Sequence, residues 1–127
     1  MTQATNGKPR IYDLEDRTFE FARRVRAFVK KLPRTIANIE DGKQLIRASG
    51  SVAANYIEAN ESLSKKDFVM RIKICRKEAK EDRLWLRLVD AQDSVELEKE
   101  RKELIQEAME LVKIFNSIVV KSEPHSV

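Results

Sequence analysis

Lys66, Lys73, Lys77, Lys80 and Arg87 recur at spacings of seven, four, three and seven. On a helix of about 3.6 residues per turn this sets five cations along one side. A row of that kind can neutralise phosphates, which requires clustered Lys and Arg and no base-reading motif. A second basic run lies upstream. Arg17 to Arg34 holds seven basic residues against Glu20, a net of +6, and includes Arg23, Arg24 and Lys30. Lys65 to Arg87 carries nine basic and four acidic residues, net +5, while Asp90 to Glu110 carries eight acidic and three basic, net −5. The overall charge of +4 conceals this alternation. We take Arg23, Arg24, Lys30, Lys66, Lys73, Lys77, Lys80 and Arg87 as the candidate partner-binding surface. The competing reading is a solvated helix face whose field is diluted by Asp67, Glu78 and Glu81.

Other chemistry finds less material. Arg47, Asn55 and Glu58, with Glu78, Glu81 and Asp82 further on, are polar groups at or beside packing faces, and Arg47 and Glu58 stand eleven residues, about three turns, apart. A charged network that fixes helix register is the expected role. A catalytic carboxylate among them is the alternative. A carboxylate-bridged metal pair in a helical bundle requires paired Glu-x-x-His sequences, and the one histidine, His125, falls in an expected tail. Cys75 lies in register with Phe68, Ile72 and Ala79 and reads as a buried small hydrophobe rather than a nucleophile. There is no Gly-rich phosphate loop. No catalytic residue, metal or cofactor is expected.

The elements that must position these residues are helices. Leu14, Thr18, Phe21, Val25, Phe28 and Leu32 follow Asp13 and Asp16 at spacings of four and three, predicting a helix from Leu14 to Lys31 that Pro33 ends. The solid part of a second helix is predicted over Asp41 to Ala59, with Ile36 and Ile39 either in the same helix or in a loop before it, and the small residues between Ala48 and Ala54 let another backbone approach closely. Ser64 with Asp67 caps a third from Lys65 to about Val89, whose apolar stripe only Asp82 interrupts. Asp93 with Glu96 is expected to open a fourth, carried by Leu97, Leu104, Ala108, Leu111, Phe115 and Ile118. Four amphipathic helices on short connections predict an all-α, antiparallel up-down-up-down four-helix bundle over residues 13–121, with disordered tails at 1–12 and 122–127.

Composition agrees with one helical domain. Within 127 residues there are only 3 Gly, 3 Pro and 8 aromatic residues, against 36% charged. The single cysteine suits a reducing compartment, and neither a signal peptide nor a run of about 18 apolar residues is present, so the expectation is a cytoplasmic protein without a membrane segment.

The stretch 44–68, QLIRASGSVAANYIEANESLSKKDF, resembles the four-helix-bundle family named for proteins encoded in 23S rRNA intervening sequences, and the resemblance continues through 72–81, IKICRKEAKE, and 85–88, WLRL. It is looser in helix 1, through Asp13-Leu14 and Leu32-Pro33, and in helix 4 is one of pattern alone. The resemblance implies a bundle that assembles as a homopentamer, in a family without established enzymatic activity. A related branch, the accessory variability determinants of diversity-generating retroelements, is similar in fold and binds a reverse transcriptase and nucleic acid through a basic surface, a role that nothing in this sequence carries over. From charge and resemblance together, the expected function is a non-enzymatic oligomeric scaffold or adaptor whose basic surface binds RNA, a ribonucleoprotein or another acidic partner. The alternative is a protein-only interaction module in which basic helix 1 or 3 pairs with acidic helix 4 of another copy.

Overall fold

A computed structural model describes residues 14–123; the expected cap Asp13, residues 1–12 and His125 lie outside the described residues. Four helices follow one another: α1 (Leu14–Lys31), α2 (Ile36–Asn60), α3 (Lys65–Leu88) and α4 (Val95–Ser122). Connections of four to six residues are too short to carry the chain back along helices of 18 to 28 residues, so consecutive helices run antiparallel. Each helix packs on its neighbours in sequence and α1 also meets α4, which leaves α1 diagonally across the bundle from α3. Among the described residues no helix is long and apolar enough to cross a membrane.

The helix 1 bounds coincide with those expected, and Ser64 caps α3 by accepting a hydrogen bond from the Asp67 amide at 3.0 Å. Three boundaries differ. α2 begins at Ile36 rather than Asp41, because the Thr35 hydroxyl caps it by accepting from the Asn38 amide. Buried Asn38 then ties two connections together, donating from Nδ2 to the carbonyls of Pro33 and Asp90 and accepting from the Asp90 amide through Oδ1. α4 is capped by Ser94, not Asp93, which lies with Gln92 in the left-handed region at φ 65° and 49° and turns the α3–α4 connection. α4 also reaches Ser122, a residue expected in the tail.

The core is continuous through all four helices. Phe21, Val25 and Phe28 of α1 meet Leu45 and Val52 of α2, Ile72, Cys75, Ala79 and Leu86 of α3, and Leu104, Ala108, Leu111 and Phe115 of α4. Within the small-residue run of α2, Ala48, Ser49 and Val52 are buried, Gly50, Ser51 and Ala53 half-buried, and Ala54 exposed, so only part of the run mediates close packing. Gly42 lets α1 approach closely: a Cβ there would stand 3.0 Å from Val29 Cγ1, so a larger residue needs Val29 to shift. Cys75 is buried as expected, with Sγ directed at the Val52 carbonyl 3.5 Å away, and burial pushes its thiol up to about 12. That holds the sulfur in its unreactive form.

Candidate nucleic-acid interface

The rotation of α3 is set by Ile72, Cys75, Ala79 and Leu86, all fully buried. With those side chains inward, Lys66, Lys73, Lys77, Lys80 and Arg87 are exposed along the opposite side, in one heptad stripe with exposed Met70 and Leu84 and flanked by exposed Arg83. From Lys66 to Arg87 the row is about 32 Å long at 1.5 Å per residue. The acids expected to dilute it turn elsewhere. Asp82 is fully buried, Glu78 is buried and Glu81 half-buried, both of the latter engaged by Arg47 of α2, and Asp67 stands at the capped first turn. Among the described residues, Glu123 at the end of α4 is the one carboxylate paired within the row, 2.7 Å from Lys73 Nζ.

The basic residues of α1 do not join this surface. α1 and α3 are diagonal partners, so their outer faces point away from one another. Moreover, α1 spends much of its charge within the chain. Arg17, Arg24 and Lys31 recur every seven residues and meet Glu107, Glu103 and Glu100 of antiparallel α4 at 2.7, 3.2 and 2.7 Å, with Arg17 also 2.6 Å from Glu110. The carboxylate of Glu107 holds the Arg17 guanidinium above its ordinary value, and Gln106 together with Arg17 holds Glu110 below its own. Arg23 is paired with Glu20 on its own helix. Lys30 is exposed and has no ion pair among the described residues. The single surface expected from Arg23, Arg24 and Lys30 plus helix 3 is therefore two surfaces, of which α3 holds the less compensated one. The signal for the α1–α4 ladder was present in the sequence, as a basic period of seven facing acids at 100, 103, 107 and 110.

The expected polar network also divides. Arg47 donates to Glu78 at 3.3 Å, to Glu81 at 3.2 Å and to Gln44 at 3.3 Å. Asn55 belongs to a separate cluster, donating to Ser51 and accepting from Arg71 at 3.0 Å. Glu58 is exposed and contributes only its carbonyl, to the turn at Glu61 and Ser62. Asp82, expected beside a packing face with Glu78 and Glu81, joins neither cluster. It occupies a core position of α3 with no hydrogen-bond partner for either oxygen, one turn from Trp85, whose buried indole N–H is likewise unpaired. Burial, reinforced by Glu78 and only partly offset by Arg47, raises its carboxyl to about 9. Among the described residues no group of His, Cys, Asp and Glu is placed to share a metal ion.

Comparison with known proteins converges on one relationship. The sequence model for the 23S rRNA-intervening sequence protein matches residues 12–117. A solved structure of a protein of unknown function from the S23 ribosomal protein family of Bacteroides thetaiotaomicron VPI-5482 is similar at 27% identity, with a TM-score of 0.70 over 84% of this chain and 97% of that one. No curated protein matches.

Proposed function

The chain belongs to the 23S rRNA-intervening sequence protein family, and we propose that it is a non-enzymatic, homopentameric scaffold or adaptor of the cytoplasm whose α3 face holds RNA or a ribonucleoprotein. The observation that carries this reading is the exposed row from Lys66 to Arg87, in which Lys73 alone has a carboxylate partner, Glu123. An exposed cation row so little answered from within the chain suits an external polyanion. Repetition of the row around a ring would multiply weak contacts into avidity. The two groups with strongly perturbed ionisation, Cys75 and Asp82, are both fully buried, which closes them to a substrate and supports a binding role over a catalytic one. Pairing of basic helices with acidic α4 of another copy, the protein-only alternative, is disfavoured because Glu100, Glu103, Glu107 and Glu110 are already engaged by α1 of the same chain.

Two measurements test the proposal. Light scattering is expected to return about five times the chain mass of 14.7 kDa; a monomer across micromolar concentrations removes the scaffold. RNA retention at about 50 mM salt is expected for the wild type, and to vanish in the K73E/K77E/K80E variant with helicity and assembly unchanged, since all three side chains are exposed. A wild type that retains no RNA under that condition returns the protein to the protein-only class.

A further inference from the structure

We infer that the α3 face is built for the phosphate array of a double-stranded nucleic acid rather than for a single strand, an inference that rests on the polyanion reading above and narrows its ligand. Binding of single strands relies on a charged groove that follows the backbone and on aromatic side chains that stack the unpaired bases. The α3 face has no aromatic platform: between its cations stand Met70 and Leu84. A hollow beside its first turns, lined by Lys66, Met70, Lys73 and Glu123, takes in two of the cations and leaves Lys77, Lys80 and Arg87 outside it on the exposed helix surface. The aromatic residues of α3, Phe68 and Trp85, are half-buried and packed against the core.

What the face offers instead is a row fixed in position, Lys66, Lys73, Lys77, Lys80 and Arg87 with Arg83 flanking it, on a helix whose opposite side is locked in the core. Its length of about 32 Å approaches one turn of duplex. A rigid cation row gains most from phosphates that are themselves rigidly spaced, because a flexible strand must first be ordered along it. Counterion release points the same way. Each phosphate neutralised on a duplex releases about 0.9 of a counterion, against about 0.7 on a single strand. Over five or six contacts the difference amounts to about one ion, worth roughly tenfold in affinity near 50 mM salt. Lysines, as compact hydrated charges, bind such phosphates without reading bases.

The test compares a mixed-sequence RNA duplex of about 24 base pairs, longer than the ~16 that a small double-stranded RNA domain spans, with its two separated strands at equal phosphate concentration. The duplex is expected to bind about tenfold more tightly than either strand and without preference between duplex sequences. Replacing Lys73, Lys77 and Lys80 with Ala is expected to lower the slope of log affinity against log salt by about three. Glu123→Gln, which frees Lys73, is expected to tighten the duplex by about threefold. Strands that bind as tightly as the duplex, or with a base preference, overturn this inference and leave the polyanion reading standing. Absence of binding to duplex and strands alike overturns both.

Discussion

Asp82→Asn is expected to melt roughly 10 °C above the wild type near pH 7, and the advantage is expected to disappear near pH 4. The carboxyl of Asp82 is raised from 3.8 to about 9 in the folded chain. Below 3.8 it is protonated whether the chain is folded or not, and its burial then carries no charge penalty. As pH rises from there toward 9 the unfolded chain ionises and the folded one does not, so stability falls progressively and levels off above 9. Each pH unit in that window is worth up to about 1.4 kcal/mol, a loss on the order of 4 kcal/mol by pH 7. The facing charges fix the sign. Glu78 and Glu81 of the same helix oppose ionisation, and Arg47 of α2, half-exposed and committed to those two carboxylates, offsets only part of the burial. Asparagine keeps the shape and cannot ionise, so its melting curve should lose this dependence. Calorimetric melts of both proteins from about pH 4 to pH 9 decide the matter, and parallel pH profiles would show that Asp82 is ionised in the folded state.

The second large effect concerns how α1 is held. Phe28→Ala is expected to cost about 3 to 5 kcal/mol, because the ring is fully buried at the centre of the bundle and its removal leaves a cavity. Arg17→Ala should cost only about 1 kcal/mol, although it removes contacts to two carboxylates, since Glu107 and Glu110 keep access to water. Urea midpoints measure both losses. Raising the salt to about 1 M should shrink the Arg17 loss and leave that of Phe28 untouched. An Arg17 loss equal to that of Phe28 would mean that α1 is docked by charge rather than by its apolar face.

Periodicity and caps made most of this architecture legible. The alternation of Leu14, Thr18, Phe21, Val25 and Phe28 and the stop at Pro33 placed α1, and Ser64 placed the start of α3. The first turn of α2 was obscured because Ile36 is exposed and Gly42 stands where its pattern is needed, while the features that form the turn, the Thr35 cap and the Asn38 ties, lie outside hydrophobic spacing. For the candidate interface, the α3 stripe was readable directly. Its partition from α1 was not, because spacing assigns a residue to a side of its own helix and leaves the neighbouring helix unstated. The up-down-up-down order carries that information, since it sets α1 beside α4 and opposite α3. Asp82 was visible as the acid that interrupts the α3 stripe, but its complete burial without a partner was not, because spacing does not state what the neighbouring helices set against it.

The ladder between α1 and α4 also governs the order of events during folding. Its ion pairs bridge 69 to 93 positions, whereas α2 with α3, and α3 with α4, meet across connections of four to six residues. Short connections close early and distant ones late. Removing Arg17 should accordingly accelerate unfolding while leaving the refolding rate almost unchanged, a split that a chevron plot reads directly. During synthesis the delay is longer, because α1 emerges well before α4 has been translated. Until then Arg17, Arg24 and Lys31 lack the carboxylates that will answer them. For that interval three cations of the α1 segment are screened by water and salt alone, and the emergence of α4 is what neutralises them.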